Sequence, residues 1–187
     1  MSHIPNPYTS ADQAGINNEN IRSLVNHIPG AIYRCRGDEF VTLEFFSDEI
    51  EKLTGYTVDH FMQNRKDGYS KLVYEEDRDA FRELIHRAIA EKTKYEIEYR
   101  IITKNGELKW VFESGKGNYD GDEQVVFIDG CIFDITRRKK TEEALADTKD
   151  EVRRLALVAR NTTNSVMITD AEENIIWINE GYTRISG

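Results

Sequence analysis

The side chains in this sequence with chemical potential are acids, phenols, histidines and two cysteines. Glu75, Glu76, Asp77 and Asp79 stand close together. Acids at the head of an amphipathic run suit the positive end of a helix dipole, which is reason enough for them. Cys35 and Cys131 lie far apart, inside apolar strand-like runs. A metal pair would need CxxC or His-rich spacing, so both read as small buried hydrophobes. His27 and His60 lack neighbours that would make them ligands or bases. His86 sits between Ile85 and Arg87 at the edge of a helix's solvent face. No nucleophile stands beside a base, no glycine-rich loop cradles phosphate, and no carboxylate pair occupies a credible site. This segment reads as a non-enzyme.

Composition narrows the choice of partners. The chain has 187 residues, 39% hydrophobic and 32% charged, with a formal net charge of −9. That is the profile of a globular protein with a highly charged surface. No stretch is dominated by Lys and Arg, which argues against nucleic acid, because phosphate attraction needs a basic face. No apolar run approaches the roughly 20 residues that cross a bilayer. The opening Met-Ser-His-Ile-Pro-Asn-Pro lacks the basic start and apolar core of a secretory signal. A cytoplasmic location is expected.

The elements that must position these groups follow from periodicity. Residues 1–17 read as a loose leader. Residues 18–29 read as a flanking helix, with Ile21, Leu24, Val25 and Ile28 on one stripe and Pro29-Gly30 as its stop. Ala31 to Arg36 and Phe40 to Phe46 form a hairpin around Gly37-Asp38. Ser47 caps a short helix carrying Ile50 and Leu53, which Gly55 ends. Short helices and turns follow through Phe61, Met62, Leu72 and Val73. A longer helix over 75–91 buries Phe81, Leu84, Ile85, Ala88 and Ile89. Tyr95, Ile97, Tyr99 and Ile101 alternate with mostly charged residues, a strand with one apolar face. Lys104-Asn105-Gly106 turns the chain into a return strand bearing Leu108, Trp110 and Phe112 on one face. Val125 to Ile135 is the last strand.

Five strands, with helices inserted between the second and third, make an α+β domain on an antiparallel sheet over 30–136. A long C-terminal linker helix over 137–160 follows, without Pro or Gly. Leu145, Val152 and Ala159 at heptad position a, with Thr148 and Leu155 at d, give a short seam. The helix pairs with a second copy of itself through that seam, or lies on its own domain. The remaining 161–187 repeat the beginning. Asp170, Asn179 and Gly187 stand at one common offset from Asp38, Ser47 and Gly55, with Ile178 and Ile185 matching Phe46 and Leu53. Repetition of strand, turn and cap together reads as the truncated start of a second copy.

The ordered set of motifs resembles a PAS domain with its C-terminal PAC segment. Its members are Phe46-Ser47 with Glu49-Ile50 and Leu53-Thr54-Gly55-Tyr56, then Val73-Tyr74-Glu75-Glu76-Asp77-Arg78 and Tyr95-Glu96-Ile97-Glu98-Tyr99-Arg100. Lys104-Asn105-Gly106, Lys109-Trp110-Val111 and Gly130 leading into Asp134-Ile135-Thr136-Arg137-Arg138-Lys139 complete it. Tyr74 departs from the pattern, standing where the family often has His. The resemblance covers about 21–140, and 161–187 look like the start of a second such domain.

The resemblance implies a sensory or regulatory module that holds a ligand between sheet and helices. Tyr33, Phe46, Leu53, Phe61, Leu72, Phe81, Ile85, Tyr99, Trp110, Phe112 and Ile132 are the candidates to line that space, or else they simply fill a core. Buried phenols such as Tyr33 and Tyr99 need partners and could orient a polar ligand. The cofactor is not specified. A flavin adduct is disfavoured because Gln63-Asn64-Arg65-Lys66 lacks the cysteine such relatives carry, and haem is disfavoured by the placing of His86. Asp134, Ile135 and Thr136 resemble the junction that passes a signal into the following helix, toward an output domain such as a histidine kinase or diguanylate cyclase. The expected partners are a small molecule, a second copy of the chain and that output domain. The alternative is a ligand-free dimerisation or protein-interaction module.

Overall fold

The structure, a computed structural model, describes residue 25 and residues 27–38 and 41–186. The leader over 1–17 and most of the flanking helix, including Ile21 and Leu24, lie outside the described residues, as does Phe40. In chain order the elements are β1 (Ala31–Arg36), β2 (Leu43–Phe46), α1 (Glu49–Thr54), α2 (Val58–Gln63), α3 (Arg78–Ala90), β3 (Lys94–Ile102), β4 (Leu108–Tyr119), β5 (Val125–Asp134), α4 (Thr136–Asn161), β6 (Met167–Thr169), β7 (Ile175–Ile178) and α5 (Glu180–Ser186). Two 3-10 turns, Ser70–Leu72 and Glu75–Asp77, stand between α2 and α3. The chain divides into two compact units between Thr136 and Arg137.

The first unit is a five-stranded antiparallel sheet in the order β2-β1-β5-β4-β3. Its helices are inserted between the second and third strands and pack on one face, α1 against β1, α2 against β2 and α3 against β3. The hairpin turn behaves as its sequence demands. Gly106 takes φ 78°, and Thr103 N–H bonds Glu107 C=O at 2.9 Å. Gly55, also at φ 78°, closes α1 by donating its N–H to Glu51 C=O. Both positions need a left-handed conformation that a side chain resists.

Two local readings change. Ser47 does not cap α1; its hydroxyl accepts the Ile32 N–H at 2.9 Å, while its own N–H bonds Ile32 C=O. It extends the β1–β2 ladder by one rung, and Asp48 stands at the helix start without a side-chain bond. The acids before α3 also do more than face a dipole. Asp77 accepts from Arg100 N–H at 2.8 Å, Nε at 2.9 Å and Nη2 at 2.6 Å, pinning the 3-10 turn to β3. Those hydrogen bonds hold the Asp77 carboxyl below its ordinary range.

One cross-strand row organises the helix-facing side of the sheet. Tyr95 pairs with Gly115, Gly115 with Gly130, Gly130 with Tyr33, and Tyr33 with Phe46. The two glycines leave a trough, and the Tyr33 and Tyr95 phenols meet over it in a hydrogen bond. A Cβ on either glycine would lie closer than 3 Å to a tyrosine hydroxyl. Around this row an apolar core of Ile50, Phe61, Val73, Ile101, Val111 and Ile132 is almost fully buried.

In the second unit, α4 is a 26-residue helix with no buried residue. Leu145, Val152 and Leu155 are 70%, 60% and 60% exposed, so the heptad seam faces solvent in the single chain. The hairpin β6–β7 reproduces details of β1–β2. Asp38 accepts the Thr42 N–H at 2.9 Å, and Asp170 accepts the Asn174 N–H at 2.7 Å. The residues before these donors, Val41 and Glu173, both have positive φ. Where Ser47 bridges to β1, buried Asn179 accepts the Val166 N–H at 2.9 Å and donates to Asn164 C=O.

The trough makes a direct prediction. Gly130→Ala should cost about 1–3 kcal/mol in urea unfolding, the usual penalty of overpacking. Gly121→Ala, with nothing within 4 Å of its added carbon, should stay within about 0.5 kcal/mol of the parent.

Candidate functional site

Above the trough, one carboxylate gathers the phenols. Glu113 on β4 is 3% exposed and accepts from three tyrosines: Tyr33 at 2.5 Å and Tyr95 at 3.2 Å on Oε1, and Tyr99 on Oε2. Tyr69 bonds Tyr99 at 2.8 Å and so joins the same chain. Each phenol has one proton to give. Tyr33 and Tyr99 spend theirs on Glu113, which leaves Tyr69 donating to Tyr99, and Tyr95 donating to Tyr33 or Glu113. Every proton points toward the carboxylate. Burial pushes the Glu113 carboxyl above its ordinary range, and the three phenolic hydrogen bonds offset only part of that rise. Burial first, and the Glu113 charge second, raise the Tyr33, Tyr95 and Tyr99 phenols well above their ordinary value.

This polar group floors a cavity of about 310 Å³ between the sheet and the α2–α3 segment. Leu43, Phe46, Phe81, Ile85 and Ile132 supply apolar wall, and Asn64 to Ser70 with Arg82 and His86 form the mouth. Phe46 packs edge-on against Phe61 at 5.3 Å between ring centroids and leans on Tyr69 at 5.8 Å, which fixes that wall. Cys35 lies on the floor as a free thiol, pushed up to about 12 by burial, so it stays protonated. Cys131 lies on the opposite side of the sheet, paired with Ile32. Among the described residues no His, Cys, Asp and Glu group has metal-holding geometry, and no helix is long and apolar enough to cross a membrane.

Of the expected lining residues, Tyr33, Phe46, Phe81, Ile85 and Ile132 come together around the cavity. Leu53, Phe61 and Leu72 are buried in the surrounding core, and Tyr99 sits behind Glu113. Trp110 and Phe112 are a correction. They point to the other face of the sheet, because it is Val111, Glu113 and Gly115 that share the helix-facing side with Tyr99, Ile97 and Tyr95. Glu113 and Tyr95 were missed. The signal was there: counting back from Asn105-Gly106 places Glu113 opposite Ile97, on the phenol face.

The exit from the sheet is tied down on the same strand. Trp110 C=O accepts the Ile135 N–H at 2.9 Å, and Trp110 N–H donates to Thr136 Oγ1 at 3.0 Å. Asp134 accepts the Thr136 N–H at 2.9 Å and pairs with Lys109 at 3.2 Å. Burial alone would raise the Asp134 carboxyl, but its bonds from Thr136 and Lys109 hold it below its ordinary range. β4 therefore carries both the cavity floor and the anchor of α4.

This architecture, a five-stranded antiparallel sheet with helices between strands 2 and 3 and a helix leaving the last strand, defines a sensory-box type of domain. Residues 43–132 match the family described as PAS fold, and this segment is a PAS domain. The chain is 26% identical over 145 residues to the methyl sulfide methyltransferase-associated sensor of Methanosarcina acetivorans, covering 76% of this chain and 14% of that protein. It is 34% identical over 122 residues to the blue-light-activated histidine kinase of Brucella ovis, covering 60% of this chain and 23% of that protein. The chain thus spans less than a quarter of the length of either relative. A crystal structure of a sensory box histidine kinase/response regulator from Burkholderia thailandensis superposes with a TM-score of 0.57 at 20% identity, over 72% of this chain and 98% of that one, a likeness of fold.

The raised carboxyl gives a pH prediction with a definite sign. Unfolded, Glu113 loses its proton near the ordinary value of about 4.3; folded, it keeps it to higher pH. Its contribution therefore falls as pH rises from the ordinary value through the raised one. Glu113→Gln should gain stability relative to the parent across that window in urea titrations. A stability difference independent of pH would contradict the assignment.

Proposed function

We propose that this chain is a cytoplasmic sensory module that takes a small ligand into the Glu113 cavity and passes its occupancy through α4 to an output domain. The observation that carries the reading is the double duty of β4. Glu113 lies three residues from Trp110, whose backbone holds Ile135 and Thr136. A ligand that redistributes the phenols around Glu113 pulls on the strand that sets the first turn of α4. Such a ligand works only through unequal affinity for two arrangements. Asp134, Ile135 and Thr136 are the transmission residues in this scheme. The exposed seam of Leu145, Val152 and Leu155 is the surface through which two copies pair. The matched relatives support a signalling role, one being a sensor by name and one a histidine kinase.

A second reading is a ligand-free module that acts through pairing of α4, favoured by the same exposed seam. Native and denaturing mass spectrometry of the purified chain, with an absorbance scan and light scattering, separates the two. A dimer that releases a small molecule on denaturation is the expected result; a dimer of bare mass supports the second reading. For the transmission route, Asp134→Ala should change spin-label distances between paired α4 helices while the thermal midpoint moves by only a few degrees. Unchanged distances would reject it.

A further inference from the structure

The cavity has a charge pattern that specifies its occupant. Glu113 is a buried carboxylate whose partners are all neutral phenols: Tyr33, Tyr95 and Tyr99. No ion pair to it is found among the described residues. An ionised carboxylate offers about four acceptor positions, and three of them have a phenol within hydrogen-bond distance. Tyr33 and Tyr95, which share the cavity lining with it, add oxygen lone pairs beside its Oε1. The walls next to this floor are aromatic and aliphatic, Phe46, Phe81 and Ile85 among them. Burial disfavours the ionised form of Glu113, and among the described residues no cation reaches it, so an ammonium group brought by a ligand would supply the pairing that form needs. The other end is opposite in sign. Arg65 and Arg82 stand at the mouth beside Lys66, and the one acid among the described lining residues there, Asp67, pairs with Lys71 at 2.6 Å.

We propose that the cavity binds a small amphoteric molecule, with an ammonium group seated on Glu113, an apolar body along Phe46, Phe81 and Ile85, and a carboxylate or similar anion at the Arg65–Lys66–Arg82 mouth. The inference rests on the ligand-sensing reading above and gives it a substrate class. A simple amine would meet repulsion at the cationic mouth, and a simple fatty or aromatic acid would leave Glu113 unpaired. A molecule charged at both ends, with the apolar part between, answers both. Aromatic faces at Phe46 and Phe81 add cation–π attraction during entry of the ammonium group.

The test uses the whole chain and three probes of one shape. These are 4-(2-aminoethyl)benzoate, carrying both charges; 4-ethylbenzoate, lacking the amine; and 2-phenylethylamine, lacking the carboxylate. Isothermal titration at pH 7 should show the doubly charged probe binding at least tenfold tighter than 4-ethylbenzoate. Loss of the carboxylate should weaken binding severalfold and reduce its dependence on salt. Glu113→Gln should remove most of the difference between the amine probe and 4-ethylbenzoate. Circular dichroism confirms that this variant is folded. If it is not folded, Tyr95→Phe, which leaves the charge and removes one oxygen beside it, should weaken the amine probe without weakening 4-ethylbenzoate. Equal or tighter binding of 4-ethylbenzoate, or a failure of all three probes to bind, overturns the proposal. In the latter case a small molecule of another class released from the native chain leaves the sensory reading standing, and a bare native mass removes both.

Discussion

A buried carboxylate held by phenols is the constraint around which the first unit is arranged. Taking an ionised carboxylate out of water costs several kcal/mol, and a fold tolerates it only with good hydrogen bonds in return. Here three tyrosine hydroxyls converge on Glu113, and they can do so because two glycines stand side by side beneath them. Gly115 and Gly130 are cross-strand partners, with Tyr95 and Tyr33 on their outer flanks. Side chains in place of those glycines would push the phenols away from one another and from the acid. The sheet's most open row therefore lies beside its most polar point, and the cavity lies above both.

The position of that polar point on the sheet gives it mechanical reach. β4 pairs with β3 over 108–116 and with β5 over 111–119, so it is well placed to distribute a local disturbance. Its beginning holds Ile135 and Thr136 by backbone and hydroxyl bonds, with Asp134 and Lys109 closing the corner. The helix that starts there is exposed along its length within the single chain. A helix without a buried residue, firmly tied at its first turn, suits a change at the sheet being read further along.

Much of this was legible in the sequence. The period-2 run from Tyr95 to Ile101, the Asn105-Gly106 turn and the amphipathic stripe of Phe81, Ile85 and Ala88 each report local physics, and each element formed. Two details recur in the two hairpins: Asp38 and Asp170 make the same turn bond, and Ser47 and Asn179 each tie a strand end to its neighbour. What misled was β4. Trp110 and Phe112 are its largest apolar side chains, and size suggested that they face the core. Register overrules size: the turn places Val111, Glu113 and Gly115 on the phenol side. A charged residue and a glycine are poor advertisements for a buried face, and only the tertiary arrangement of three tyrosines makes sense of them. Ser47 failed for a related reason, since its hydroxyl found a distant strand N–H in place of the local helix.

Amide hydrogen exchange reads the coupling of the cavity floor to the helix start. Glu113→Gln removes the charge that the phenols converge on while leaving the backbone path from Glu113 to Trp110 intact. Altered protection of the Ile135 and Thr136 amides is the expected result, with the Gly55 amide at the end of α1 unchanged. Unaltered protection at Ile135 and Thr136 in a folded variant would contradict it.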